Sequence, residues 1–502
     1  MICVTVQAGD GAALADGANE AFASGADRVE LRLDSCAQPV DLGELIGVRL
    51  AGRAADLIVT CRRPGDGGAW LGDEGTRIAL LEAAIDAGAG WVDIEEDAAG
   101  RISRRGATRR IVSWHDFNDT PSDLERVWAR LARADADVVK LVTAARSACD
   151  GLRLLALSAA HNAGDGPATI AFAMGRLGQP SRLLATRFGA PWTYACRAGR
   201  PPAAPGQLPI DILREVYRLH DVATRTAVFG LIGDPVDQSL GYLVHNAVYD
   251  SLGFDGLYVP FEVPADELDA FLRGAYALGV AGLSVTIPHK RNALAAALDV
   301  SEMVADCGAA NTLLRGDGGW IADNTDAPAA IDALRAAVAA VHHGQTDMSD
   351  LRVLVLGAGG IARAVIRPLV DEGATVAVSA RRPVQAQAIA SECDIAEIAW
   401  ELRHEWPCDV LIQCTPVGMW PHVDATPFDS AGLEAGTIVF DTVYRPRLTR
   451  LLREAATHGC VPLDGVELFA RQAARQIASF VRHCEPLDRI ERLVLDRLSE
   501  VV

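Results

Sequence analysis

An α/β fold in two parts is predicted for this chain: an N-terminal (β/α)8 barrel, then a two-lobed α/β region whose C-terminal half is a Rossmann nucleotide-binding lobe. Three observations predict it. Short apolar strands alternate with amphipathic helical stretches along almost all of the 502 residues, a length that exceeds one hydrophobic core. The first 220 residues hold eight strand-and-helix pairs, near the span of one barrel. Close to residue 352 a strand runs into a glycine turn and then a helix, the order of a dinucleotide-binding unit.

The eight strands read ICVTV from residue 2, RVELRL from 28, DLIVTC from 56, WVDIE from 91, RIVSWH from 110, DVVKLV from 137, TIAFA from 169 and PWTYA from 191. Segments such as TRIALLEAAIDAG and SDLERVWARLARA supply helices between them, and DILREVYRLH reads as the last helix. An open doubly wound sheet fits the same alternation; the barrel is favoured by where the polar residues fall. They fall at strand ends: Glu30, Arg32 and Asp34 on the second, Thr60, Arg62 and Arg63 on the third, Ser113, His115 and Asp116 on the fifth, and Arg182 and Gln207 after the seventh and eighth. In a barrel these converge on one mouth, where the active sites of that architecture lie. Singly, each has a plainer explanation, such as a Glu30–Arg32 ion pair or a capping role for Asp116. Lys140, near the end of strand six, poses the sharpest choice. Either its stem packs while the ammonium reaches water, or it is a desolvated amine of lowered pKa that attacks carbonyls.

The stretch RAGRPPAAPGQLP, 197–209, is placed as an active-site loop because a helix follows it. The boundary between the parts falls at DVATRT, 221–226, which gives domains 1–222 and 226–502. Beyond it strands are read at AVFGLIG, YVPFEV, AGLSVTI, RVLVLG, ATVAVSA, DVLIQC and TIVFD. The polar break HHGQTDMSD divides a lobe over 226–330 from a nucleotide lobe over 350–465, and helices over 466–502 return to the first lobe. In RVLVLGAGGIARAVIRPLV, Gly357, Gly359 and Ala362 have the G-x-G-x-x-G/A spacing, with Ala358, Gly360 and Ile361 completing the turn. Such a turn lets backbone approach a pyrophosphate, which the helix N-terminus then stabilises. After the next strand, ATVAVSARRP offers Arg381 and Arg382 where an NAD site places a carboxylate for the ribose 2′-hydroxyl. A 2′-phosphate suits them, so NADP is the expected cofactor.

Half the residues are apolar and about a quarter charged, an ordinary soluble composition. No apolar run is long enough for a bilayer and MICVTVQAGD lacks the features of a signal peptide, so a cytoplasmic location is expected. Eleven cysteines without a Cys-x-x-Cys pair fit reduced thiols, and no metal site is expected. The net charge of -19 argues against nucleic acid or an anionic membrane as partner and leaves small molecules, anionic ones included where arginines gather. The sequence specifies no oligomeric state.

The motifs VELRLD, SWHDF, DVVKL, MGRLGQPSR and APGQ resemble those of the type I, imine-forming 3-dehydroquinate dehydratases. LSVTIPHK, GAANTL, DNTD, GAGGIA, CTPVGM and GVELFARQAA resemble those of shikimate dehydrogenases, and the two halves in this order resemble the plant-type bifunctional fusions. The resemblance implies a barrel lyase followed by an NADP-dependent oxidoreductase of the shikimate pathway. It implies that Lys140 forms an imine with the C3 ketone of dehydroquinate, and that His115 removes the C2 proton and returns one to the departing C1 hydroxyl. Asp66 matches the glutamate that orients this histidine, one methylene shorter. Glu30, Arg32, Arg62, Arg182 and Gln207 match substrate-holding positions, Arg182 as the carboxylate clamp. In the second half Lys290 and Asp326 match a pair beside the substrate hydroxyls, the lysine supplying a proton as hydride reaches the ketone. Ser239, Thr286, Asn311, Tyr444 and Gln472 match substrate-lining positions, and Thr415 and Gly465 join the glycine turn and the arginines as cofactor positions.

Two positions depart from those families. Ala203 replaces the serine of Ser-Ala-Pro-Gly-Gln, a loss expected to weaken binding by about 1 kcal/mol. In DQSLGY, Gly241 replaces the second serine of a Ser-x-Ser pair that grips the substrate carboxylate, which leaves room beside C1. Quinate carries an extra hydroxyl there, so the second half is also readable as a quinate dehydrogenase. A third reading, a non-catalytic metabolite sensor, expects the reacting groups to be gone, whereas Lys140, His115, Lys290 and Asp326 are all present.

Overall fold

The computed structural model describes residues 1–482 and 485–501. They form two compact units, one of Met1–Val228 with Asp255–Gly279, the other of Phe229–Phe254 with Val280–Val502.

In the first unit eight strands, β1 (Ile2–Gln7), β2 (Arg28–Arg32), β3 (Leu57–Thr60), β4 (Trp91–Glu95), β5 (Arg109–Asp116), β6 (Val138–Ala144), β7 (Ala168–Met174) and β8 (Thr193–Ala195), lie parallel in the order β7-β6-β5-β4-β3-β2-β1-β8. This is the strand order of a barrel, but no ladder joins β7 to β8 among the described residues, so the expected ring is not fully closed by backbone hydrogen bonds. Instead the Ala173 amide of β7 donates to Ser181 Oγ at 2.9 Å, the Thr193 hydroxyl of β8 donates to the Arg182 carbonyl at 2.7 Å, and Phe172 meets Tyr194 at 6.1 Å between ring centroids. Helices α1 (Gly11–Ala23), α2 (Glu74–Asp86), α3 (Leu124–Ala132), α4 (Ala148–Asn162) and α5 (Gln179–Leu184) link the strands. Asp10, Asp73 and Asp123 cap the first three by accepting from backbone amides at 2.8, 2.9 and 3.0 Å.

Two segments differ from the sequence-based expectation. DILREVYRLH does not form a regular closing helix: Ile212–Val216 is a wide turn in which Tyr217 N donates to Ile212 O at 3.2 Å, and Arg218 ends it with φ +48°. Lys140 does not lie near the end of its strand either. It is the third of seven residues in β6, so its stem rises inside the barrel before the amine reaches the mouth.

In the second unit β9 (Ala227–Gly233), β11 (Gly282–Val285), β13 (Thr312–Arg315), β14 (Trp320–Asp323) and β12 (Asp299–Val300) lie side by side as a mixed sheet; β10 (Gly256–Glu262) belongs to the segment grouped with the first unit. The antiparallel β13–β14 hairpin was not expected from the sequence, since RGDGG reads as loop and its two strands are four residues each. A second, wholly parallel sheet follows the order β17-β16-β15-β18-β19-β20 (Ala396–Glu397, Thr375–Ser379, Arg352–Leu356, Val410–Gln413, Ile438–Asp441, Val461–Leu463), the doubly wound order with β15 at the switch point. Apolar clusters cover both of its faces, which is why these strands read as continuous apolar runs. Helices α6 (Gly241–Ser251), α7 (Leu268–Ala277, in the segment grouped with the first unit), α8 (Asp326–Val341), α9 (Gly360–Asp371), α10 (Pro383–Cys393), α11 (Arg450–Thr457), α12 (Gly465–Val481) and α13 (Leu487–Val501) follow along the chain, with α12 packed on α8 and α13 on α6. Among the described residues no helix is long and apolar enough to cross a membrane.

Candidate active sites

The barrel mouth is a buried lattice of alternating charge. Lys140 Nζ lies 2.8 Å from Asp93 Oδ2 and 3.7 Å from Glu30 Oε1, over the Tyr194 ring at 4.1 Å. The amine is therefore buried but not alone, which replaces the picture of an isolated desolvated lysine. Asp93 also takes Arg62 Nη2 at 2.8 Å and the Ser113 hydroxyl at 2.5 Å. Burial would raise the Asp93 carboxyl, but Arg62 and Lys140 beside it carry it well below the usual carboxylate range. Glu30 is held low in the same way, and its two oxygens accept from the Thr5 and Thr60 hydroxyls at 2.9 Å each. The Glu30–Arg32 pair does not form as a direct bridge: Arg32 instead grips Asp34 through Nε at 2.9 Å and Nη2 at 2.8 Å. Behind them Arg62 Nε approaches Glu95 at 3.6 Å, and the fully buried Arg77 meets Glu95 at 2.5 Å.

His115, the seventh residue of β5, faces this lattice. Arg62 Nη1 stands 2.5 Å from its Nε2, and burial, then the Arg62 and Lys140 charges, push its pKa well below the usual histidine range. The imidazole is thus neutral at neutral pH, the form a general base requires. Phe117 stacks alongside it at 6.0 Å. Asp66 is not brought to the histidine. Its carboxylate accepts from Arg63 Nε at 2.8 Å, and no hydrogen bond joins it to His115 among the described residues. The shorter side chain serves the neighbouring arginine, which also grips Asp97 at 2.9 Å.

Arg182, on α5, is buried over the Phe172 ring at 4.3 Å; among the described residues its Nε has no hydrogen-bond partner, and its Nη2 donates to the Pro205 carbonyl at 3.3 Å. Burial without a carboxylate pulls its pKa down to about 9. An unpaired buried guanidinium is costly, and a substrate carboxylate would satisfy it. Gln207 closes the wall, donating to Thr5 Oγ1 at 3.3 Å and accepting from the Ala203 amide at 2.9 Å.

Sequence reasoning missed Asp93, Glu95 and Arg77. The signal was present: in WVDIE the two carboxylates are two residues apart, hence on one face of a strand otherwise apolar.

In the second unit Lys290 Nζ donates to Asp326 Oδ2 at 2.6 Å. Asp326 opens α8, and Asn311 holds the turn before it: its Oδ1 accepts from Thr325 N and the Thr312 hydroxyl at 2.8 Å each, and its Nδ2 donates to Thr325 Oγ1 at 2.9 Å. The unforeseen Gln476 stands beneath, donating to Asn311 O at 3.1 Å and Thr312 Oγ1 at 2.7 Å and accepting from Ser284 at 2.6 Å. Gln472 lies one turn earlier on α12, half-buried. Tyr444 and Ser239 are brought together by the Tyr444 hydroxyl, which donates to Gln238 O at 3.4 Å. Ser239 Oγ accepts from Gly241 N at 3.1 Å, and Thr286 N donates to Ile232 O at 2.9 Å beside it in the β9 and β11 exits.

The dinucleotide turn has the shape its glycines imply. Gly357 has φ +111°, and a Cβ there would stand 3.1 Å from the Cys414 carbonyl oxygen; above Gly359, at the start of α9, nothing lies within 4 Å. Ala358 and Ile361 flank this opening, and Ala362 packs inward. Gly360 serves another purpose, since a Cβ there would meet Lys290 Cδ at 2.8 Å. Gly465 likewise permits close packing, its Cβ position lying 2.5 Å from the Val443 carbonyl. Thr415 is half-buried with its amide on Gln413 Oε1 at 2.8 Å. Arg381 and Arg382 are exposed at the end of β16, no carboxylate directly follows that strand, and the buried Ser379 hydroxyl there has no hydrogen-bond partner among the described residues. These residues fit a dinucleotide with a 2′-phosphate.

An eight-stranded parallel sheet with a lysine amine and a neutral histidine at its mouth, followed by a doubly wound dinucleotide domain, defines a chain of two enzymes, a lyase and an oxidoreductase. The family description Type I 3-dehydroquinase matches residues 2–224, and Shikimate dehydrogenase substrate binding domain matches residues 231–313. The chain is 33% identical over 501 residues to the chloroplastic bifunctional 3-dehydroquinate dehydratase/shikimate dehydrogenase of Arabidopsis thaliana, covering 96% of this chain and 82% of the plant protein. It is 38% identical to the shikimate dehydrogenase (NADP(+)) of Methanocella arvoryzae over 54% of this chain and 99% of that protein. A solved shikimate 5-dehydrogenase of Thermus thermophilus in complex with NADP(H) and shikimate is 31% identical over 54% of this chain and 99% of that one, with a TM-score of 0.48. This chain belongs to the bifunctional 3-dehydroquinate dehydratase/shikimate dehydrogenase family.

Proposed function

We propose that the chain catalyses two consecutive steps, dehydration of 3-dehydroquinate to 3-dehydroshikimate in the barrel and NADPH-dependent reduction of that product to shikimate in the second unit. The observation that carries this is the continuous contact Lys140–Asp93–Arg62–His115, which sets a nucleophile and a neutral base at one buried mouth. Lys140 bonds to the C3 ketone as an imine; His115 takes the acidified C2 proton and hands one to the departing C1 hydroxyl. Arg182 takes the substrate carboxylate, and Arg32, Arg62, Glu30 and Gln207 hold the hydroxyls.

In the second unit Lys290, held by Asp326, gives a proton to the ketone oxygen, while Ser239, Thr286, Asn311, Tyr444 and Gln472 line the substrate. Arg381 and Arg382 hold the 2′-phosphate, and Gly357 to Ala362 with Thr415 and Gly465 shape the rest of the dinucleotide site. When bound, the nicotinamide supplies the hydride. We place the functional division at 222–226, supported by family matches that end at 224 and begin again at 231. The location is taken as cytoplasmic, supported by ten described cysteines that are all free thiols.

Borohydride with dehydroquinate, followed by peptide mass mapping, is expected to label Lys140, and NADPH oxidation with dehydroquinate alone is expected to yield shikimate. A label elsewhere, or NADPH oxidation only when dehydroshikimate is supplied, defeats the reading. Gly241 supports a second reading for the oxidoreductase, since beside Ser239, where a second hydroxyl is expected, it offers no side chain and its amide is already engaged by Ser239 Oγ. Faster oxidation of quinate than of shikimate would establish it, and exclusive use of shikimate would end it.

A further inference from the structure

We propose that Asp93 is the counter-ion that keeps the Lys140 imine nitrogen protonated during dehydration. The proposal rests on the imine reading of Lys140. Asp93 has no exposed surface, and of the two carboxylates near the amine it alone is in hydrogen-bond contact, at 2.8 Å; Glu30 is at 3.7 Å with both oxygens engaged by threonines. Asp93 is also fixed from the other side, by Arg62 at 2.8 Å and Ser113 at 2.5 Å. Two hydrogen-bond donors, Lys140 and Ser113, and the adjacent Arg62 charge hold this carboxylate ionised and leave it a poor proton acceptor. Its place is therefore that of a fixed negative charge and not of a base.

The reaction makes such a charge useful. An ammonium and a ketone give an iminium and water: the C–N bond forms, the carbonyl oxygen leaves with two of the ammonium protons, and the nitrogen keeps one proton and its positive charge. Asp93 faces one unit of positive charge before and after, so imine formation requires no new charge in a dry site. Glu30, the other anion near the nitrogen, stands back at 3.7 Å with both oxygens taken by threonine hydroxyls, and the remaining groups carry no negative charge. Arg62 and His115 are cationic or neutral, and Cys3 and Tyr194, both with pKa values raised by burial, are neutral. Loss of the C2 proton to His115 then moves the C2–H electron pair toward nitrogen, giving an enamine. Expulsion of the C1 hydroxyl with the proton from His115 regenerates the iminium. A neutral imine at the first step would be no electron sink, and the C2 proton would stay.

The test is Asp93→Asn. Borohydride reduces both imine forms, whereas cyanoborohydride requires the protonated one. In the unsubstituted protein both reagents are expected to label Lys140 in the presence of dehydroquinate from about pH 6 to about pH 9. In Asp93→Asn the borohydride label is expected to persist across that range while the cyanoborohydride label and kcat both fall at least about tenfold toward its upper end, recovering as pH is lowered. A variant whose cyanoborohydride label and kcat are as flat with pH as those of the unsubstituted protein overturns the counter-ion role alone. Absence of any Lys140 label in the unsubstituted protein removes the imine and both readings with it. If the variant does not fold, the unsubstituted protein labelled with 15N at lysine Nζ decides: a protonated-imine nitrogen shift across the range supports the role, and a neutral-imine shift within it overturns it.

Discussion

The two sites solve the problem of an active lysine differently. Around Lys140 the cations Arg32, Arg62 and Arg77 alternate with Glu30, Asp34, Asp93 and Glu95, all buried. Around Lys290, among the described residues, the one ion-pair partner is Asp326, with the two side chains 13% and 8% exposed, and the side chains that brace the turn before Asp326, Asn311, Thr325 and Thr312, are neutral. The difference follows from the chemistry. A lysine that becomes part of the substrate must carry charge where water is scarce, so its surroundings are balanced ion by ion. One that only lends a proton keeps a path to solvent, and a single carboxylate orients it.

The strongest way to break this comparison is to remove each lysine in turn. Lys140→Met is expected to lower the dehydration kcat by at least roughly 10^4-fold, because the covalent route is lost, while reduction of 3-dehydroshikimate is retained. Lys290→Met is expected to lower reduction by about 10^2 to 10^4-fold with dehydration retained. Steady-state assays of both steps on both variants check this, and loss of both activities in either variant would show that the sites are not separable. Arg381→Ala with Arg382→Ala comes next. Each removes charge-assisted contacts of about 1.5–3 kcal/mol, so KM for NADPH should rise by about 10 to 100-fold per arginine while KM for NADH stays put. An equal rise for both nucleotides would assign the arginines to something other than the 2′-phosphate.

Much of this is legible in the amino-acid sequence. The periodicity of RVLVLGAGG and its flanking helix specify strand, turn and helix through local physics, and the strand order of the Rossmann lobe follows from few options. The eight barrel strands were legible for the same reason. What was hidden is non-local. Nothing in PGDGG says that Asp66 turns to Arg63 three residues earlier instead of reaching His115 on another strand. Nothing in WVDIE says that Asp93 reaches past β5 to a lysine 47 residues on. Gly360 was legible as a glycine of the nucleotide turn, but its contact with Lys290 depends on how α9 and the β11 exit meet. The open β7–β8 edge likewise rests on Ser181 and Thr193 hydroxyls, whose partners sequence spacing does not reveal.

The smallest expected effect sharpens the comparison through acid stability. In the first unit His115 refuses a proton that the unfolded chain accepts below about pH 6.5, so its contribution is present above that pH and is lost as pH falls. Asp34, Asp93 and Glu30, all held low by their cations against the effect of burial, add losses of the same sign further down, and only Glu95, raised by burial, opposes them. In the second unit His404, Glu392 and Asp409, all at least partly exposed, are lowered and add losses that solvent screens, while the two deeply buried groups that titrate in this range work against each other. His245, lowered by burial to about 4, loses stability as pH falls, whereas Asp441, raised by burial to about 7, gains it, because the folded carboxyl binds a proton the unfolded one releases. At about 1.4 kcal/mol per pH unit and group, the pair nearly cancels between about pH 6.5 and 4, and the first unit has no comparable offset until Glu95 titrates. Incubation at stepped pH from about 7 to 4 with a brief pulse of an acid-active protease, then assay of both reactions at neutral pH, is therefore expected to show dehydration lost first. Loss of reduction first, or of both in step, would mean that acid acts on the protein through groups other than these, and that the charge lattice of the barrel is no more sensitive to protons than the sparse site of the dehydrogenase.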